Sequence, residues 1–242
     1  MKDPVTPLVA AVLLCAAASF CPAPAVAAER SPVVVELFTS QGCNSCPPAD
    51  AVLAELTRRD DVLPLSFHVT YWDRLGWPDT FGLEASTARQ NAYAHWMGQG
   101  RVYTPQMVIG GRLDVVGSAR GRVIDGIKLI ADNAPVGPEL RVDGQTLTIG
   151  AGRAEPATIW LIGFDEAHDV PIARGENRGK TLRYHHVVRK ITDIGDWRGQ
   201  ALTLDLPVAR YAAEGHGGLA ILVQRDEDGA ILSAARVDLM PG

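Results

Sequence analysis

Cys43-Asn44-Ser45-Cys46 is the stretch of this chain whose residue types and spacing most plainly allow chemistry. A cysteine acts as a nucleophile through its thiolate, and a second thiol two residues further on can resolve the mixed disulfide that the first one forms. As a structural bridge the pair would close too short a loop to stabilise much. Pro47 and Pro48 follow directly, and consecutive prolines are tolerated only in a first helical turn, where the N–H groups have no intrahelical partner. The cysteines therefore sit at a helix start, where unpaired N–H groups and the helix dipole favour a thiolate. Cys43, the more N-terminal and by expectation the more exposed, is the expected attacking thiol; Cys46, in the first turn, is the expected resolving thiol. Neither Asn44 nor Ser45 carries a positive charge that would favour a strongly oxidising pair, so the direction of exchange stays open. Two other readings stand beside redox exchange. One is a copper or zinc site, for which two thiolates need further ligands and His68 and His95 offer no ligand-like spacing. The other is an oxidised pair without turnover.

Other polar residues carry weaker signals. Glu36 and Asp50 could relay a proton, although a surface or capping role suits a carboxylate near a helix start better. Trp72, Asp73, Trp77 and Phe81 could line a groove beside the cysteines or pack as the core of a loop. Arg174, Glu176, Asn177, Arg178, Tyr184, His185 and His186 form a polar cluster that could bind an anion or, the preferred reading, seal two domains together. His185 and His186 alternate faces on a strand and cannot chelate one ion from the same side. His168 and His216 fall in loops.

The elements that must position these residues read as follows. Val33 to Phe38 fits a buried strand, and Val62 to Tyr71 fits a buried parallel one. Between them the cysteine turn runs into a helical pattern with Val52, Leu53 and Leu56. Trp72 to Phe81 is loop-like, and Leu83 to Met97 reads as a helix. Thr104-Pro105 leads into Gln106 to Ile109, and Gly110-Gly111 turns into Leu113 to Val116. Arg120 to Ala134 is a helix with Val123, Ile127 and Ile130 on one stripe. After the linker-like Pro135-Val136-Gly137-Pro138, seven short strands are expected: Leu140–Val142, Leu147–Ile149, Thr158–Phe164, Leu182–Ile191, Ala201–Leu206, Leu219–Gln224 and Ala230–Asp238. That pattern suggests an antiparallel sandwich.

The chain has 242 residues, enough for two small domains, and its 47% hydrophobic and 21% charged content is that of a soluble globular protein. A net charge of -5 without a basic cluster argues against nucleic-acid binding and against a membrane-surface patch. Lys2, the apolar run from Pro7 to Cys21 and the small residues of Ala25-Val26-Ala27 have the anatomy of a secretory signal cleaved after Ala27 or Ala28. Cleavage would remove two of the four cysteines, Cys15 and Cys21, and leave the C-x-x-C pair. The expected organisation is a signal peptide over 1–28, an α/β domain over 29–135 and an antiparallel β-sandwich-like domain over 136–242. The expected location is periplasmic or secreted.

Three stretches resemble a known family: Glu36 to Asp50 around the cysteines, Tyr71-Trp72-Asp73 with Gly76-Trp77, and Val102-Tyr103-Thr104-Pro105-Gln106. Arg174-Gly175-Glu176-Asn177-Arg178-Gly179 followed by Tyr184 resembles its distal part. The family is a bacterial secreted one of unknown function, number 1223 among the domains of unknown function, and is placed in the thioredoxin-like superfamily. The resemblance implies a thioredoxin-like α/β domain in which Pro105 is cis and faces Cys43. Thr104 and Pro105 would then shape a substrate groove. The aromatic loop and the helix from Leu83 make the spacing from Cys46 to Pro105 longer than in a minimal thioredoxin, and such a helix could cover the active site and restrict partners. The residues themselves lead to the expected activity, thiol–disulfide exchange with protein or small-molecule thiols and disulfides. No metal ligand set is assigned, and no organic cofactor is expected, because no Gly-rich nucleotide loop follows a strand.

Overall fold

The computed structural model describes residues 31–239, so the expected signal segment with Cys15 and Cys21 lies outside the described residues. The β-branched run at the start of this span forms β1 (Val33–Thr39), and the cysteine turn leads into α1 (Pro47–Leu56), with both prolines at its start. Next come β2 (Val62–His68), α2 (Glu84–Trp96), the hairpin of β3 (Gln106–Ile109) and β4 (Leu113–Val116), and α3 (Arg120–Asp132). The chain then runs through β5 (Leu140–Asp143), β6 (Thr146–Ile149), β7 (Ala157–Pro171), β8 (Thr181–Trp197) and β9 (Leu202–Asp205). It ends with the short helix α4 (Val208–Ala213), β10 (Gly218–Arg225) and β11 (Ile231–Asp238). No helix among the described residues is long and apolar enough to cross a membrane.

The result is a mixed α/β fold built on one eight-stranded sheet in the order β11-β10-β7-β8-β2-β1-β3-β4, with a separate three-stranded sheet β5-β6-β9. β1 pairs in parallel with β2, placing Thr39 opposite His68, and antiparallel with β3, placing Phe38 opposite Gln106. The ends of β1 and β2 and the beginning of β3 therefore meet at one edge of the sheet, which is where the cysteine turn lies.

Alternation along the strands divides the core. Val35, Leu37, Met107 and Ile109 face α1 and α3, meeting Val52, Leu53, Leu56, Val123 and Ile127. Val34, Phe38, Leu65, Phe67 and Val108 face the other way, toward Tyr93 of α2 and on to Ile162, Phe164, Val188 and Leu222. A third core, with Leu147, Ile149, Leu161, Trp197 and Ile221, lies under the small sheet.

The distal strands differ from the expected sandwich. The small sheet does pack on β7 and β10, but β7, β8, β10 and β11 continue the sheet of β1–β4 through the parallel contact of Ser66 with Val187. Val187 and Val188 are wholly buried, as befits a central strand. Periodicity marks such a run as a strand without naming its neighbours. The β7–β8 hairpin is also longer than expected, because its polar outer ends alternate too weakly to read as strand, and α4 was not anticipated.

Candidate functional site

Cys46 is the N-cap residue of α1, and its carbonyl accepts the N–H groups of Ala49 and Asp50. Cys43 stands in the turn just before, its N–H donating to Ser40 O, and the two sulfurs form a disulfide. The Thr104-Pro105 peptide is cis. Thr104 Oγ1 donates to Cys43 Sγ at 3.4 Å and accepts from Trp72 Nε1 at 2.8 Å. All four expected site residues thus come together at the end of β1 and the start of β3.

The expected exposure of Cys43 is overturned: both sulfur-bearing residues are 0% exposed. The backbone of the cysteine turn is bound by the tip of the β7–β8 hairpin, more than 130 residues away in the chain. Asn177, itself buried, donates through Nδ2 to Gln41 O at 3.0 Å and to Cys43 O at 2.9 Å. Glu176 Oε2 accepts the Asn44 N–H at 3.2 Å, and Lys180 Nζ donates to Asn177 Oδ1 at 2.9 Å. The polar cluster is thereby divided. Glu176 and Asn177 reach the cysteine turn, the ring of Tyr184 lies 4.7 Å from that of His68, and His186 Nδ1 donates to Pro64 O on β2.

The surface role expected for the two carboxylates is also overturned. Glu36 is wholly buried, bound by Arg89 Nε at 2.5 Å and Nη2 at 2.8 Å and by the Tyr93 hydroxyl at 2.6 Å. Arg89 continues to Gln224 on β10, so this pair ties α2 to both halves of the sheet. Asp50 is 6% exposed. Burial pushes its carboxyl up to about 7, with Asp79 raising it slightly while the nearby His68 and Thr39 pull it down.

Asp79, which sequence reasoning missed, organises the layer beneath the cysteine turn. Its Oδ2 accepts the Gln41 N–H at 2.7 Å and His68 Nδ1 at 2.8 Å, and its Oδ1 accepts the Phe81 N–H. Burial opposes its charge, but His68 and these amides outweigh burial and hold the carboxyl below the usual range. The only sequence signal was an acid in a loop of aromatics. Around this pair Asp50 Oδ1, His68 Nε2, Thr39 Oγ1, Ser66 Oγ and the Tyr184 hydroxyl are buried without a hydrogen-bond partner among the described residues. They come from β1, β2, α1 and β8, and such unpaired polar atoms are rare in native interiors.

Of the aromatic loop, Trp77 Nε1 donates to Gln41 Oε1 at 2.9 Å, Trp72 holds Thr104, and Phe81 packs into the core with Ile172, Leu182 and Tyr184. Asp73 Oδ1 accepts the Asp79 N–H. His68 is engaged by Asp79 and His95 is exposed on α2, so neither stands as a third ligand for the cysteines. No group of three or more potential metal ligands forms among the described residues. His168 and His216 both lie against Asp165, at 2.8 and 3.1 Å.

Comparison with known proteins returns two solved structures of like architecture. The crystal structure of protein AGR_C_4864 from Agrobacterium tumefaciens is 33% identical, covers 88% of this chain and 97% of its own, and has a TM-score of 0.76. HBP35 of Porphyromonas gingivalis is 15% identical over 86% of this chain and 75% of its own, with a TM-score of 0.58, a likeness of fold alone. No curated protein matches. A family model described as "Protein of unknown function (DUF1223)" matches residues 34–224.

Proposed function

The chain belongs to the DUF1223 family, and from that premise we propose that it is an exported thiol–disulfide oxidoreductase with a thioredoxin-like fold. Cys43 makes and breaks the bond to a partner, Cys46 resolves it, and Thr104 and Pro105 shape the place where the partner's sulfur approaches. The observation that carries this reading is the disulfide at the start of α1 with Thr104 Oγ1 hydrogen-bonded to Cys43 Sγ beside a cis proline. A hydroxyl donating to that sulfur favours its thiolate once the disulfide opens. The signal-like N-terminus supports a periplasmic or secreted location, where a disulfide persists.

In the oxidising direction, a thiolate of a partner dithiol attacks Cys43 Sγ. The new S–S bond forms as the Cys43–Cys46 bond breaks, and Cys46 leaves as a thiolate that takes up a proton. The partner's second thiolate then attacks its own sulfur in the mixed disulfide and releases Cys43. Two electrons have passed from the dithiol to this chain; the reverse sequence reduces a partner disulfide. Asp50 follows Cys46 by four residues on α1, so the two share a helix face. Its carboxyl, protonated up to about 7, is placed to give the proton that Cys46 takes up.

The complete burial of both sulfurs favours a second reading, an oxidised pair without turnover. Two single-cysteine variants separate the readings. With a small peptide disulfide, folded Cys46→Ala should form a mixed disulfide on Cys43, while folded Cys43→Ala should react far more slowly. If neither variant reacts until denaturant is added, the pair is inert.

A further inference from the structure

The tip of the β7–β8 hairpin places a carboxylate beside the disulfide. Glu176 is exposed, yet its Oε2 is held by the backbone N–H of Asn44, the residue directly after Cys43. The tip is a turn closed on itself: Arg178 N–H donates to Gly175 O, Lys180 N–H to Asn177 O and Gly179 N–H to Ile172 O. Gly175 and Gly179 take φ of +79° and +82°, conformations that glycine supplies without strain. Against the rest of the protein the tip is held by Asn177, by Glu176 and by the approach of Gly175 to Trp77.

Cations outnumber carboxylates on the segments at this contact. Arg174, Arg178 and Lys180 are exposed on the tip, and Arg74 and Arg101 are exposed on the loops that carry Trp72 and Thr104. Arg183 is paired with Asp169, whereas Arg174 and Arg178 make no ion pair among the described residues. On the opposing side stand Glu176 itself, the half-buried Asp73 and the exposed Glu84. In a chain of net charge -5, the segments that meet at the cysteine turn thus carry an excess of exposed cations.

We propose that the tip is a built-in stand-in for the partner, and that the partner is a polypeptide with acidic side chains flanking its reactive cysteine. One of its carboxylates takes the Asn44 N–H from Glu176, while Arg174 and Arg178 receive its neighbours. As the tip lifts, Asn177 releases the Cys43 carbonyl and the disulfide opens to attack. The inference rests on the redox reading above and adds the chemistry of the partner to it. Opposite charge at such a contact raises the rate of encounter and disfavours basic partners, and salt weakens the effect because it screens charges beyond about 10 Å at 0.1 M.

The test uses the oxidised full-length mature chain and three reduced cysteine peptides, with acidic, neutral and basic flanks. Flanking charge also alters a thiol's own reactivity. Each rate of opening Cys43–Cys46 is therefore divided by that peptide's rate with a small neutral disulfide. At low salt the acidic peptide should react about tenfold faster than the basic one on this scale, with the gap closing as salt is added. Arg174→Glu with Arg178→Glu, both on the surface, should invert the order. Glu176→Ala should speed the acidic peptide by vacating the Asn44 N–H. Equal normalised rates, or an order unmoved by the charge reversal, would overturn the acidic partner. A neutral small-molecule dithiol is run in parallel: if it too leaves the folded disulfide closed, the redox reading falls, and this inference with it.

Discussion

At the scale of single residues, Asp50 carries the sharpest consequence. Its carboxyl has an ordinary value of 3.8 and is pushed up to about 7 by burial, so between those values the folded chain holds a proton that the unfolded chain has released. Stability then falls as pH rises from about 4 to about 7 and levels off above, the reverse of the usual behaviour of a salt-bridged acid. Asp50→Asn removes this dependence. The variant should be more stable than the parent at pH 8 by about 2–4 kcal/mol, and close to it at pH 4. Denaturant unfolding at the two pH values checks this, and parallel curves for parent and variant would contradict it. Under the proposed role of Asp50 in protonating Cys46, the same variant should also flatten the pH profile of disulfide opening near 7.

At the scale of elements, the β7–β8 hairpin decides what the cysteine turn can do. Here the cysteine turn is bound by a hairpin tip whose two side-chain bonds to carbonyls of the turn both come from Asn177. Asn177→Ala deletes two hydrogen bonds to the Gln41 and Cys43 carbonyls, at a cost of about 1–3 kcal/mol in stability. It should also raise the rate at which a small dithiol opens the disulfide in the folded protein, by about tenfold or more if the tip is what limits access. The rate is read by trapping free thiols over time under native conditions. An unchanged rate would mean that the seal lies elsewhere, with Trp72 the next element over the turn, since its Cβ comes within 3.3 Å of a side chain added at Gly42.

At the scale of the whole molecule, the eight-stranded sheet makes the two halves of the chain one folding problem. Phe38, Leu65 and Phe67 from the first half share their core with Ile162, Phe164, Val188 and Leu222 from the second. The Glu36–Arg89 pair is completed by Gln224. A fragment ending at residue 135 would leave the β2 edge and this apolar face open to water, and would take Gln224 away from the Glu36–Arg89–Tyr93 cluster. It should therefore lack a cooperative unfolding transition, whereas residues 29–242 should unfold in a single one. Circular dichroism against denaturant distinguishes the two. A fragment that melts cooperatively on its own would show the halves to be independent.

Much of the first half was legible from local signals. Pro47 and Pro48 place the start of α1, Gly110-Gly111 places the β3–β4 turn, and the apolar runs place β1 and β2 within a few residues. The cysteines and Thr104-Pro105 were recognisable from spacing and from resemblance. These features are written in residue type and short-range period, which a chain carries whether or not it is folded.

What only the tertiary structure decided was the environment of those residues. Glu36, Asp50 and Asp79 are all acids in the sequence, yet one is clamped by an arginine, one has its carboxyl pushed up to about 7 by burial and one is held below the usual range by His68 and backbone amides. The carbonyl of buried Cys43 is bound by Asn177, over 130 residues distant. Burial and charge pairing depend on which strands become neighbours, and the joining of β8 to β2 sets that order.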